Sequence, residues 1–275
     1  MKSFQVFKRW ASTLSALAGI LVLSSALLAG AALADTVEDC VQDRDRDLQI
    51  RACTSIIARG GKVAWAYNNR GLAYYHKGDK DRAIADYDKA IALDPKDAQA
   101  YYDRGVAFYA KGDRDRAIAD YDKAIALDPK YAKAYYNRGV ARYDSGDFEG
   151  AARDLLRTIE LSDNAFAMLY LYLARARSGK AAEDELAANA GRLKTKEWPF
   201  AVTELFVGKR SPAATINAAA KPDDKCEAQF YVGQWQLLKG NRSEAEVGLK
   251  AAVETCPKTF SEYTSAVAEL KRLKR

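Results

Sequence analysis

The residues of this chain best equipped for chemistry are four cysteines and one histidine. Cys40 and Cys53 close the stretch "DCVQDRDRDLQIRAC" (39–53), and Cys226 and Cys256 lie towards the other end. Cysteines this close could hold a metal, run redox chemistry or staple the chain. No Cys-x-x-Cys occurs and His76 is the single histidine, so no zinc set of cysteine and histidine can be assembled. His76 lacks any partner motif that would make it a catalytic base, and reads as an exposed helical histidine. Carboxylate clusters such as "AEDEL" (182–186) stand without a Gly-rich loop, and no phosphate-binding loop is present. These residues point to a chain with no catalytic residues, no metal and no cofactor.

The compartment decides what the cysteines do. Lys2, Lys8 and Arg9 precede an uncharged apolar run, Ala11 to Ala34, which ends in "ALAD" (32–35). That order is the grammar of a secretory signal, so 1–34 is expected to be a signal peptide cut between Ala34 and Asp35. The alternative is an uncleaved N-terminal membrane anchor, since the run is long enough to span a bilayer. There is no twin-arginine pair, and no cysteine at the cut that could carry lipid. In an exported chain an even number of cysteines favours disulfides. The net charge of +6 falls to +3 once the three basic residues of the leader are removed. That balance gives no argument for nucleic acid as a partner.

The elements that position these residues follow from an internal repeat. "GDKDRAIADYDKAIALDP" (78–95) recurs as "GDRDRAIADYDKAIALDP" (112–129), offset by 34 residues with one difference. A third copy, "AKAYYNRGVARYDSGDFEGAARDLLRTIEL" (132–161), keeps the offset. Period and residues resemble the tetratricopeptide repeat family: Tyr67, Gly71, Tyr74, Gly78, Ala83, Tyr87, Ala90 and Pro95 in the first full copy, with their counterparts from Tyr101 to Pro129 in the second. The third keeps Tyr135, Gly139, Gly146 and Ala151 but carries Leu155, Thr158 and Asp163 where the others have Tyr, Ala and Pro.

The resemblance implies an all-α fold, a solenoid of antiparallel helical hairpins in a right-handed superhelix with a C-terminal capping helix. Small Gly71 and Ala83 let two helices approach, Tyr74 and Tyr87 fill the wider space, Gly78 closes a helix in the left-handed region, and Asp79 caps the next. A lone hairpin cannot bury its apolar face, so units stack. The expected segments are a degenerate N-terminal unit (35–63), three repeats (64–165), a degenerate hairpin with short helices (166–225), and a late unit with its capping helix (226–275). Short helices are expected to begin near Pro199 and Pro212.

Carried 34 residues upstream, the repeat register places Cys40 and Cys53 where Tyr74 and Tyr87 stand, which implies a Cys40–Cys53 disulfide in a shortened unit. Gln49, at a small-residue position, fits this register poorly. In the late unit, Gly233, Gly240, Ala245, Ala252 and Pro257 hold the repeat positions. Cys226 and Cys256 then stand at the two ends that a hairpin brings together, implying a second disulfide. The basic end "LKRLKR" suits a helix C-terminus; its sharper reading is contact with an anionic surface.

First helices of such repeats line a concave groove. The face opposite their packing positions carries Asn68, Asn69 and Tyr75; Tyr102, Asp103 and Tyr109; Tyr136, Asn137 and Tyr143. Tyrosine and asparagine combine apolar area with hydrogen-bonding capacity, suited to an extended peptide. The alternative is that some of these tyrosines pack between repeats. A carboxylate clamp is not supported, because only Lys133 matches it.

The order of parts, with "KEWPFAVTELFVGKRS" (196–211) and "FYVGQWQLLKGNRSEAEVGLKAAVETCPKTFSEYTSAVAELKRL" (230–273), resembles the NlpI-type repeat proteins of the bacterial envelope. That resemblance implies a non-enzymatic, homodimeric periplasmic scaffold whose partners are envelope proteins, murein hydrolases or a tail-specific protease. The chain departs from that type in lacking the lipidation cysteine. Membrane attachment is expected only if the signal stays uncleaved. The rival readings are a soluble subunit of an export or polysaccharide-assembly complex, and an enzyme with an unrecognised site in 165–225.

Overall fold

The computed structural model describes residues 37–60 and 63–274; the signal segment and its cleavage site lie outside them. Among the described residues every regular element is a helix, arranged as consecutive packed pairs of the tetratricopeptide kind. The chain divides into two compact units between Pro95 and Lys96, inside the run of three repeats.

The first unit holds a helical turn (37–41), α1 (Arg46–Ala58), α2 (Ala64–His76) and α3 (Lys80–Leu93). The Asp-Arg run is a turn with internal structure. Gln42 Oε1 accepts from the amides of Arg44 and Asp45, and Asp45 caps α1 by accepting from Asp47 N and Leu48 N. Cys40 and Cys53 are bonded, their Cα atoms 4.8 Å apart, and both are fully buried with Ala52, Ile56 and Ala66. Gln49 fits after all. It is 1% exposed, and its Nε2 donates to the Cys40 carbonyl at 3.2 Å, so a polar side chain satisfies a backbone acceptor that the hairpin would otherwise bury.

The second unit holds α4 (Ala98–Ala110), α5 (Arg114–Leu127), α6 (Ala132–Ser145), α7 (Phe148–Leu161), α8 (Ala165–Arg177), α9 (Glu183–Ala190), α10 (Phe200–Phe206), α11 (Pro212–Ala218), α12 (Pro222–Leu238), α13 (Arg242–Thr255) and α14 (Ser261–Leu273). Its core gathers Tyr143, Leu155, Met168 to Ala174, Phe230, Tyr231 and Leu249. Helix α8 is buried continuously from Ala167 to Ala174, as a helix apolar on all sides must be. Cys226, four residues into α12, is bonded to Cys256 at the end of α13, with Cα atoms 5.0 Å apart.

The hairpins repeat one packing device. A Cβ added to Gly105 would lie 2.7 Å from the ring of Tyr121, and one added to Gly71 2.8 Å from the ring of Tyr87. Tyr87 therefore seats directly on Gly71. Tyr74 also carries the Arg82 guanidinium 4.4 Å above its ring. The sequence reading missed a second device. Arg70 bridges Asp86 (2.7 and 2.8 Å), Arg104 bridges Asp120 (2.8 and 2.7 Å) and Arg138 bridges Asp154 (2.9 and 2.6 Å), each a two-pronged pair tying the two helices of a hairpin.

Candidate binding groove

Each expected groove residue lies on the first helix of its repeat, but their environments differ. In the first unit Asn68 and Asn69 are half-buried on α2, and Tyr75 is 7% exposed with its ring 5.5 Å from His76. In the second unit Tyr102 faces Tyr131, ring centroids 5.0 Å apart, and Asn137 Nδ2 donates to the Tyr102 hydroxyl at 3.0 Å. Asp103 accepts from Gln99 Nε2 at 2.8 Å and is nearly buried. The structure thus brings Tyr102, Asp103 and Asn137 together with Gln99 and Tyr131, two residues the groove pattern did not include. Burial, reinforced by Asp103 and more weakly by Tyr102 and Asp97, holds the Tyr131 hydroxyl well above the usual phenol range.

The groove expectation fails at Tyr143. Its side chain has no exposed surface, its hydroxyl donates to Gln234 Oε1 of α12 at 3.0 Å, and its ring stands edge-on to Phe148 and Tyr170. Here the packing alternative holds: the end of α6 that carries Tyr143 is covered by the chain's own α12 and α14. Tyr136 is half-buried at the margin of that closure, its hydroxyl 3.4 Å from Ser261 Oγ. Tyr109 donates to Asp144 Oδ2 at 2.6 Å.

Helix α14 is held by a stripe of buried polar contacts. Tyr231 donates to Glu262 Oε1 at 3.0 Å, and Tyr170 bonds Ser265 Oγ at 3.0 Å. Glu269 meets Arg177 and Arg272. Arg272 also donates to the carbonyls of Tyr143 and Asp144 at the end of α6, where a helix C-terminus leaves acceptors such as that of Asp144 open. Arg272 of the "LKRLKR" segment is thereby committed within the fold, which corrects the anionic-surface reading for that residue.

Two clefts open beside this helix. One, of about 620 Å³, lies among Lys111, Arg114, Asp144, Lys271 and Arg272. Burial there pushes the Asp144 carboxyl up to about 6, against the hydrogen bond from Tyr109. The other, of about 260 Å³, is walled by Tyr136, Phe166 and Phe260 and carries Glu227 and Glu262. Burial, reinforced by repulsion from Glu262, pushes the Glu227 carboxyl up to about 7; burial also raises Glu262. The groove pattern identified neither carboxylate, because neither sits at a repeat position on a first helix of the three clear repeats.

The family model described as tetratricopeptide repeat matches residues 54–98, 68–132 and 102–166. No curated protein matches the chain. Among solved structures, one of MamA protein is 26% identical and covers 58% of this chain and 88% of its own, with TM-score 0.51. Another of MamA is 28% identical, covers 53% and 84%, and has TM-score 0.49. YrrB, a TPR protein with an unusual peptide-binding site, is 22% identical, covers 81% and 99%, and has TM-score 0.49. Residues 54–166 are therefore tetratricopeptide repeats, a kind of helical repeat used as a scaffold for protein–protein interaction, and every regular element among the described residues is a helix.

Proposed function

We propose that this chain is a non-enzymatic periplasmic adaptor that binds extended segments of envelope proteins along the faces of α4 and α6. The observation that carries this reading is the cluster of Tyr102, Asp103, Tyr131 and Asn137, where aromatic area and hydrogen-bonding groups converge on one surface. Such groups suit a peptide backbone, since each offers apolar contact and a donor or acceptor. An oxidising compartment is consistent with all four cysteines being paired. The likeness of the C-terminal half to NlpI-type scaffolds supports cell-wall hydrolases or a tail-specific protease as partners, and a homodimer as the working form.

The test is crosslinking from a photoreactive residue placed at Tyr102, followed by identification of captured proteins in an envelope fraction. Crosslinks to murein hydrolases or a tail-specific protease are expected. Crosslinks confined to export or polysaccharide-assembly components would overturn the assignment of partners.

A further inference from the structure

The cleft beside α14 combines features that neither structural packing nor the repeat pattern requires. Glu227 is 9% exposed, yet its ordered partner is a neutral one: Trp198 Nε1 donates to Oε2 at 2.6 Å. Among the described residues, Glu227 Oε1 has no hydrogen bond and no cation within ion-pair distance. Buried carboxylates are normally paired with a cation or with several donors, and Glu227 has neither. Glu262, 3% exposed, contrasts with it. Both its oxygens are satisfied, by Tyr231 and by Ser261, so it adds negative potential to the cleft with its own bonds already made. The walls are the rings of Tyr136, Phe166 and Phe260. Aromatic faces attract cations and accept the apolar stem that carries one. A carboxylate without a cationic partner, lining an open cleft of about 260 Å³ among aromatic residues, is complementary to a long side chain with a cationic head.

We propose that this cleft receives a lysine or arginine side chain of the bound partner, with Glu227 Oε1 as its ion-pairing atom and Tyr136, Phe166 and Phe260 as the apolar surface against its stem. The proposal deepens the groove reading, on which it rests, because Tyr136 belongs to both the groove and the cleft. It gives the partner a chemical requirement: a basic residue in the segment that crosses α6. Glu227 is then a specificity determinant, since an uncharged side chain entering the same slot leaves the carboxylate buried without a partner.

The Trp198 indole N–H is bonded to Glu227, so its NMR resonance reports directly on the cleft. The experiment titrates the full chain at pH 8 with acetyl-Gly-Lys-Gly-amide, its arginine analogue and its norleucine analogue. Saturable movement of the Trp198 resonance by the lysine or arginine peptide is expected, with binding roughly tenfold or more weaker for norleucine. Glu227→Gln keeps an acceptor for the indole and is expected to weaken the basic peptides by a similar factor. Equal binding of norleucine, or no saturable shift with either basic peptide, overturns the proposal without the use of any variant. Cleft binding that follows the expected pattern while crosslinking from Tyr102 captures no envelope protein would retain the cleft and sink the adaptor reading. Crosslinking that succeeds while the basic peptides fail would do the reverse.

Discussion

The hydroxyl of Tyr143 donates to Gln234 Oε1 across 3.0 Å, joining the third repeat to the late hairpin from 91 residues away. Both residues are almost fully buried. This bond holds α12 over the end of α6, so the face that carries Tyr143 is covered by the chain itself.

Two substitutions at Tyr143 should therefore separate its hydrogen bond from its packing. Tyr143→Phe should cost about 1 kcal/mol of stability by removing one buried hydrogen bond, and Tyr143→Ala roughly 3–5 kcal/mol by leaving a cavity. Urea unfolding followed by circular dichroism measures both. A Tyr143→Ala chain as stable as the wild type would place the residue outside the core.

The late disulfide should matter more than its position near the end of the chain suggests. Cys226 and Cys256 close a segment of 30 residues, for which the chain-entropy model gives about 3–4 kcal/mol. The double alanine variant should lose about that much stability in urea. Thiol labelling of the denatured, unreduced wild type should find no reactive cysteine.

The repeats were legible because their demands are local. Glycines at a 34-residue interval mark where a ring or a left-handed turn sits, and Gly112, at φ 83°, occupies that region. Both disulfides followed from the same register. The Arg104–Asp120 pair was legible in principle, since an arginine before the packing glycine and an aspartate before the residue that packs on it (Tyr87, Tyr121 or Leu155) recur in all three repeats. Closure of the third repeat was not. It depends on Tyr170 meeting Ser265, Tyr231 meeting Glu262 and Arg272 meeting the end of α6, contacts between residues far apart in sequence that carry no periodic signal. Glu227 was hidden for the same reason: its burial is created by Trp198 and by the arrival of α14.

Breaking one inter-helix pair gives a test of the hairpin device. Asp120 is 5% exposed and Arg104 is mostly covered, so Asp120→Ala leaves a guanidinium without its carboxylate. A loss of roughly 2–4 kcal/mol is expected in thermal or urea unfolding. Arg104→Ala with Asp120→Ala together should lose less than the sum of the two single changes.

Stability should also depend on pH through Glu227. Its folded pKa of about 7 lies above the ordinary 4.5, so folding favours the protonated form. The stabilisation is complete below about 4.5 and is lost as pH rises through about 7. Burial disfavours the charged form most, repulsion from Glu262, Asp224 and Asp223 adds to it, and the hydrogen bond from the Trp198 indole opposes both. Glu227→Gln should leave the melting temperature at pH 5 nearly unchanged and raise it at pH 8, by at most about 3 kcal/mol of stability. A variant less stable than wild type at pH 8 would contradict the cause given for the shift.

The surface around Tyr102 is the proposed place of partner binding. An array of peptides of varied sequence, probed with wild type, Tyr102→Ala and Val247→Ala, tests it most directly; Val247 is 70% exposed on α13 and lies outside the groove pattern. Peptides retained by the wild type should bind Tyr102→Ala roughly tenfold more weakly and Val247→Ala equally well, with helicity unchanged in both. Retention of the same peptides at undiminished affinity by Tyr102→Ala would contradict the assignment of the groove.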